Sequence, residues 1–211
     1  IAAVVSATAI EDPVIVSWSF GTLVALDYLR QMGPDAISGL VMTGAIGALK
    51  PFRMPTEEDP LTAEFARVRQ LQLSPDPRDQ LAASERMVDW LTSSPLPAPE
   101  RAVMQSSTMM FPAYARKAIY TRRQDNADLI AVMKRFPVLL ALGSDDNPMM
   151  LEDGASLAAE HESFSLSMYD EAGHSVFLEQ PERFNRELQQ FARKSFAREA
   201  GSASMGASGV K

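Results

Sequence analysis

A serine near the start of the chain carries the first chemical signal. Ser19 stands in the pentad Ser17-Trp18-Ser19-Phe20-Gly21, directly after the apolar run at 14–16. The apolar run predicts a buried strand over 14–17, and the leucine spacing that follows predicts a helix over 21–32. A serine at the apex of a tight strand-to-helix turn is exposed as a nucleophile. We therefore interpret Ser19 as a candidate nucleophile.

The two small residues of the pentad bear on the same interpretation. In such a turn the residues two before and two after the serine face each other, and strand and helix nearly touch. Gly21 satisfies the second position, and Ser17 is the next smallest practical choice at the first. We expect both positions to require a small side chain.

A serine hydroxyl needs an adjacent base, and the base needs an orienting carboxylate. The chain contains two histidines. His161 lies in a charged helical stretch, which predicts a solvated surface position. His174 follows Ala-Gly in a loop after a predicted strand and is the candidate base. The alternative is that His174 caps the helix that begins near Pro181.

The candidate acids follow a buried strand. Sites in open parallel sheets form outside the carboxyl ends of the strands, and both Asp145 and Asp146 come directly after the apolar run 137–142. We expect one of the two to cap the following helix. Asp170 and Glu171 lie too close along the chain to His174 and are predicted to be surface charges.

The elements that must position these groups form an α/β pattern. Strands are predicted over 14–17, 37–45, 137–142 and 164–169, the last near a sheet edge. Many prolines and four helical patterns between the second and third strands predict an inserted helical cap. The predicted organisation is a core with the nucleophile turn (1–49), a helical cap (50–135), a core with the acid and histidine loops (136–198) and a disordered Gly/Ser/Ala-rich tail (199–211).

Apolar side chains near these elements suggest a substrate pocket. Met109, Met110 and Phe111 in the predicted cap, together with Trp18, are its candidate lining, because methionine suits irregular pocket walls. The alternative for the three cap residues is that they form the small core of the cap itself.

Composition excludes several classes of function. The net charge of −7 and pI near 4.9 disfavour nucleic acid and anionic membrane surfaces as partners. The absence of cysteine excludes disulfides and thiolate metal sites, and no apolar run is long enough to span a bilayer. We expect a cytoplasmic protein, unless a signal that preceded Ile1 has been lost. Nothing in the sequence predicts an oligomeric state.

Three sequence blocks together resemble the α/β-hydrolase fold family. They are 16–21, 142–146 and 172–175, and they place serine, aspartate and histidine in the chain order of that family. The resemblance selects Asp146, because the family's acid is usually the third residue after the glycine that closes the strand. The region around Ser19 is similar to the haloperoxidase-like esterase branch, although Ser17 and Thr22 depart from its glycines.

The resemblance implies a cofactor-free acyl transfer. Ser19 would attack a carbonyl, His174 would take its proton, Asp146 would orient the imidazole, and the Phe20 N–H would supply half of an oxyanion hole. No metal or organic cofactor is needed. The implied substrate is a small apolar ester or related acyl compound. Two alternatives are a carbon–carbon bond hydrolase with the same three residues and an inactive or ligand-binding hydrolase fragment.

The resemblance also bears on completeness. The family normally has several strands before the nucleophile strand, and here no further strand can precede the one predicted over 14–17 within the sequence. We therefore expect a C-terminal part of an α/β-hydrolase sheet, with about four parallel strands. The strand before Ser19 would then be an exposed apolar edge, and the isolated chain would be poorly soluble and nearly inactive.

Overall fold

The computed structural model describes residues 1–51, 60–122 and 125–206. The chain forms two compact units. One contains Ile1–Pro51 and Asp125–Lys211, and the other contains Phe52–Gln124.

The first unit is built on a sheet of four parallel strands, as the sequence predicts. They are β1 (Val14–Trp18), β2 (Gly39–Thr43), β3 (Val138–Gly143) and β4 (Phe164–Tyr169), in the spatial order β1-β2-β3-β4. β1 and β4 therefore form the two edges, as expected for both. Val16 is 46% exposed on the β1 edge. The parallel direction brings all four carboxyl ends to the same side of the sheet.

Helices connect and cover these strands. In chain order they are α1 (Ala2–Thr8), α2 (Gly21–Met32), α3 (Pro60–Leu73), α4 (Pro77–Asp89), α5 (Ala98–Met110), α6 (Ala113–Thr121), α7 (Leu129–Met133), α8 (Pro148–Glu160), α9 (Val176–Glu179) and α10 (Pro181–Gly206). A short 3₁₀ turn at Pro34–Ala36 follows α2. None of the helices in the described part of the chain is both long and apolar enough to cross a bilayer.

The core of the first unit consists of two apolar clusters of buried residues. The larger cluster joins the sheet to α2, α7 and α8, and the smaller one lies among β3, β4, α9 and α10. The second of these clusters includes Tyr169 and Val176, which are fully buried on either side of His174. Apolar burial of this kind is the main favourable contribution to folding, and it fixes the loops at the end of the sheet.

Two predicted boundaries differ from the structure. Residues 125–135 belong to the first unit, not to the helical insertion, because Leu129 and Met133 are buried in its larger cluster. α10 continues to Gly206, into the segment 199–211 predicted to be disordered. Once a helix has started, each further residue adds a hydrogen bond without a new nucleation cost. Residues 207–211 lie outside the described residues.

The second unit contains α3, α4, α5 and α6, so its described part is helical, as predicted. Phe65 and Trp90 pack with their ring centroids 4.3 Å apart. The guanidinium of the buried Arg116 donates to the carbonyl of Gln72 at 3.1 Å. Its burial lowers the pKa of Arg116, and the carbonyl bond partly replaces the water that this charge has lost.

Candidate active site

Ser19 occupies a sharp turn between β1 and α2. Its φ of 51° is left-handed, a region that non-glycine residues rarely adopt and that costs on the order of 1–3 kcal/mol. The turn is held because the Ser19 N–H donates to the carbonyl of Thr43 at 2.9 Å and the Ser19 carbonyl accepts from Thr22 at 3.0 Å. The predicted strand, turn and helix are therefore present around this serine.

The small residues around the turn play different parts. The buried Ser17 hydroxyl donates to the carbonyl of Val41 at 3.0 Å and lies 3.3 Å from the Thr22 hydroxyl. The two departures from glycine thus form a polar link among β1, β2 and α2. A Cβ added at Gly21 would meet no atom within 4 Å. An alanine would therefore fit at this position, and the expectation that a small side chain is needed there stays a prediction.

The loop after β3 separates the two adjacent aspartates. Asp146 Oδ2 lies 2.9 Å from His174 Nδ1, and its other carboxylate oxygen accepts from the Asn147 N–H at 2.8 Å. Asp145 instead accepts from the Ser144 hydroxyl at 3.0 Å. The cap of α8 is Asn147, whose side chain accepts from Met149, so the expectation that an aspartate caps this helix is wrong.

His174 lies between Ser19 and Asp146 and contacts both. Its Nε2 lies 2.8 Å from Ser19 Oγ, while Nδ1 contacts Asp146. The His174 and Asp146 side chains are only 22% and 11% exposed. A carboxylate, an imidazole and a hydroxyl in sequence can pass a proton from the hydroxyl to the ring, because the carboxylate stabilises the imidazolium that forms.

The other acidic and histidine candidates lie elsewhere. His161 is the C-cap of α8, and the centroid of its ring lies 5.8 Å from that of Phe164. It is therefore partly buried, although a solvated surface position was predicted. Asp170 and Glu171 are exposed, as predicted.

Backbone hydrogen bonds tie the acid loop to the histidine loop. Asp145 N–H donates to the carbonyl of Ala172 at 2.9 Å, and Glu171 N–H donates to the Ser144 hydroxyl at 3.0 Å. At Gly143 an added Cβ would lie 2.2 Å from the carbonyl oxygen of Ala172, so only glycine allows this approach. These hydrogen bonds extend the pairing of β3 with β4 into the loops that follow the two strands, and they hold Asp146 near His174.

Further contacts hold the backbone of the histidine loop. The Trp18 indole N–H donates to the His174 carbonyl at 3.0 Å, and the Glu179 carboxylate accepts from the Gly173 N–H at 2.7 Å. Gly44, at φ 61°, packs so closely that an added Cβ would lie 2.5 Å from the His174 carbonyl oxygen. Sequence reasoning missed Gly44 and Glu179, although a glycine inside a predicted strand, such as Gly44 in 37–45, can indicate the close approach of another backbone.

Comparison with known families identifies the fold. A model of the alpha/beta hydrolase family matches residues 1–187. The chain belongs to this family. A comparison with curated protein sequences finds no match.

Solved structures resemble this hydrolase along most of its length. A protein described as an aryl esterase from Burkholderia cenocepacia is 23% identical, with a TM-score of 0.77, and the match covers 93% of this chain and 69% of the other. An esterase from Thermogutta terrifontis is 22% identical, with a TM-score of 0.66, and the match covers 92% of this chain and 70% of the other. The 2-hydroxy-6-oxo-6-phenylhexa-2,4-dienoate hydrolase from Rhodococcus sp. strain RHA1 is 20% identical, with a TM-score of 0.67. That match covers 90% of this chain and 66% of the other. These likenesses support the hydrolase fold.

The remaining predicted site residues of the hydrolase lie in both units. Phe20 is the N-cap of α2, so its backbone lies at the positive end of the helix dipole. Met109 and Met110 end α5 in the second unit, and Phe111 is its C-cap. Met110 is 82% exposed and Phe111 is also exposed, whereas Met109 is partly buried. Burial in a core of the second unit therefore does not account for Met110 and Phe111, and a pocket role for the three stays a prediction.

A second polar cluster anchors α10 of the hydrolase to β4. The fully buried Tyr169 hydroxyl donates to Glu187 at 2.9 Å, and the Arg183 guanidinium stacks 4.0 Å from the Tyr169 ring centroid. Burial and the Glu187 hydrogen bond raise the pKa of Tyr169 well above its usual value. Burial alone raises the pKa of Glu187, but hydrogen bonds from Ser167, Arg183 and Tyr169 outweigh it and lower the pKa.

Metal ligation is not suggested by the residues at the site. Across the described ranges, histidine, aspartate and glutamate side chains form no cluster of three or more that could hold a metal ion. Asp146 and His174 instead direct their polar atoms to each other.

Proposed function

We propose that this chain is a serine hydrolase that cleaves a small apolar ester or related acyl substrate through an acyl-enzyme. The observation that carries the proposal is the continuous pair of contacts from Ser19 Oγ to His174 Nε2 at 2.8 Å and from His174 Nδ1 to Asp146 Oδ2 at 2.9 Å. Heavy-atom separations of this size are what proton transfer to a general base requires.

The first half of the reaction forms the acyl-enzyme. His174 carries its proton on Nδ1, donates it as a hydrogen bond to Asp146, and uses Nε2 to take the Ser19 proton as Oγ attacks the carbonyl carbon. Asp146 stabilises the resulting imidazolium. The Phe20 N–H donates to the developing oxyanion at the start of α2. The imidazolium then gives its proton to the departing alcohol, and Ser19 is left esterified.

Water completes the cycle through the same residues. His174 takes a proton from water as the hydroxide attacks the acyl carbon, and the imidazolium returns that proton to Ser19 Oγ as the acid leaves. The reaction balances with water alone, and the proposed steps call for no metal or organic cofactor.

A second candidate is hydrolysis of a carbon–carbon bond next to a carbonyl. The similarity to the Rhodococcus dienoate hydrolase favours it, because that likeness is comparable in TM-score to the likeness to the Thermogutta esterase. The same three side chains would serve both reactions. The likenesses to proteins described as esterases put the ester substrate first.

The test combines turnover with active-site labelling. Purified protein is assayed on p-nitrophenyl esters of increasing acyl length and is treated with a fluorophosphonate, which modifies activated serines. Ser19→Ala should lower kcat by on the order of 10⁴ to 10⁶ and abolish labelling, with an unchanged circular dichroism spectrum. Ser6→Ala on the exposed side of α1 is the matched control. Labelling without ester turnover favours the carbon–carbon bond, and near-wild-type turnover of Ser19→Ala refutes the proposal.

A further inference from the structure

The residue directly before the candidate nucleophile contacts the backbone of the candidate base. Trp18 is the last residue of β1, and its indole N–H donates to the His174 carbonyl at 3.0 Å. Its ring also packs edge-on against Phe177, with centroids 5.4 Å apart. The indole is thus used to hold the histidine loop and the start of α9 next to β1.

The same loop is held on its other side by a carboxylate. Glu179, the last residue of α9, accepts from the Gly173 N–H at 2.7 Å. An ionised acceptor makes a hydrogen bond of this kind about twice as strong as a neutral one. The dipeptide Gly173–His174 is therefore held at both ends. Glu179 accepts from its first N–H, and Trp18, 161 positions earlier in the sequence, donates to its last carbonyl.

The position of this dipeptide controls both contacts of the imidazole. The ring must reach Ser19 with one nitrogen and Asp146 with the other, at 2.8 and 2.9 Å. Only two side-chain torsions connect the ring to the backbone, so a shift of the backbone cannot be corrected toward both partners at once. Gly44, directly after β2, lies close to the His174 carbonyl and ring. The two hydrogen bonds from Trp18 and to Glu179 are tethers that restrict the position of the loop further.

We propose that Trp18 and Glu179 are positioning residues for His174, and that Trp18 acts through this hydrogen bond rather than as a wall of the substrate pocket. The inference rests on the proposed hydrolase function of Ser19, His174 and Asp146. A misplacement of about 1 Å can cost on the order of 10²-fold in rate. Loss of either tether is therefore expected to lower kcat and leave substrate binding largely intact.

Trp18→Phe tests the first tether. Phenylalanine keeps an aromatic ring for the contact with Phe177 but has no N–H for the His174 carbonyl. We expect kcat on a p-nitrophenyl ester to fall by about 10- to 100-fold, with KM within about twofold. Trp90→Phe in the second unit is the matched control, since it makes the same change where Trp90 packs on Phe65, and its kcat should stay within about twofold of wild type.

Glu179 offers a rescue experiment for the second tether. Glu179→Ala removes the acceptor of the Gly173 N–H, whereas Glu179→Gln keeps a carbonyl oxygen in its place. We expect kcat to fall by about tenfold in the alanine variant and to stay within about threefold in the glutamine variant. Amide exchange of Gly173, followed by NMR, should accelerate only in the alanine variant, and this readout does not depend on any substrate.

The outcomes separate the inference from the function on which it rests. A higher KM with unchanged kcat in Trp18→Phe would make Trp18 a pocket residue and overturn the inference. Wild-type kcat in both Trp18→Phe and Glu179→Ala, with Ser19→Ala inactive, would overturn it while leaving the hydrolase function in place. Turnover that survives Ser19→Ala would refute the proposed function, and the positioning role would fall with it.

Discussion

Replacement of Asp146 by asparagine tests the assignment of the acid against its neighbour. One oxygen of Asp146 accepts from the Asn147 N–H, and the other lies 2.9 Å from His174 Nδ1, which carries the proton in the proposed mechanism. Asparagine has one oxygen and one NH₂ group, so it can satisfy only one of these donors. If the oxygen stays with Asn147, the NH₂ group faces His174 Nδ1.

The histidine must then change its tautomer. Nδ1 becomes an acceptor for the amide, and the proton moves to Nε2, which faces Ser19 Oγ at 2.8 Å. Nε2 can no longer take the serine proton. A change of this kind costs roughly 10⁴ in kcat, which is about 5 kcal/mol of transition-state stabilisation.

Asp145→Asn is the matched control. Asp145 accepts from the Ser144 hydroxyl, and an amide oxygen can accept the same bond, so we expect less than a threefold change in kcat, which is under about 1 kcal/mol. The assay is p-nitrophenyl ester turnover with thermal unfolding beside it, and Tm should move by no more than about 4 °C in either variant. The reasoning fails if Asp146→Asn keeps more than a tenth of wild-type kcat, or if Asp145→Asn is the more damaged protein.

Three further predictions concern glycine positions and pH. Gly44→Ala should cost about 2–4 kcal/mol in unfolding free energy by urea titration, because its φ of 61° and the nearby His174 carbonyl oppose a side chain; a neutral result would contradict the packing described. Gly21→Ala should leave unfolding free energy unchanged or raise it by up to about 1 kcal/mol, since the site is open and begins a helix; a loss above 1 kcal/mol would show hidden crowding. Burial raises the pKa of Glu187, but the hydrogen bonds to its carboxylate outweigh burial and lower the pKa. The ionised carboxylate therefore stabilises the fold above the unfolded pKa of about 4.3, and this stabilisation is lost as pH falls through the folded pKa. Glu187→Gln should therefore be less stable than wild type at pH 7, and the difference should shrink as the pH falls below about 4.3; a difference that does not depend on pH would be inconsistent with this linkage.

The sequence predicts the sheet well because its strands have clear local signals. β1, β3 and β4 are apolar runs bounded by proline, glycine or polar residues, and their observed ends lie within one residue of those predicted. β2 is shorter than the predicted 37–45 because Gly44 adopts a left-handed φ that ends the strand after Thr43. That conformation depends on the packing of His174 against Gly44, which no local pattern reveals.

The local sequence pattern does not predict the side-chain contacts around the candidate site. It left Asp145 and Asp146 equivalent, since both follow β3 and the difference lies in the turn geometry. It placed Trp18 among apolar pocket residues, whereas the indole N–H finds its acceptor 156 residues away. Glu179 reads as an ordinary surface charge of a helix, and only the fold brings it to Gly173. The contacts of Trp18 and Glu179 with the histidine loop join residues that only the fold brings together, so no local pattern predicts them.

The pairing of β2 with β3 has a consequence for how such a protein can vary. Leu40 and Val138 are partners in two parallel strands, so residues 44–137 leave at the carboxyl end of β2 and return at the amino end of β3, its neighbour in the sheet. The entropy of closing a flexible connection grows only with the logarithm of its length, and a doubling costs about 0.6 kcal/mol. An inserted unit at this point can therefore be lengthened, shortened or exchanged at little thermodynamic cost to the sheet. A change in the length of this connection would leave the pairing of β2 with β3, and the contacts among Ser19, His174 and Asp146, as they are.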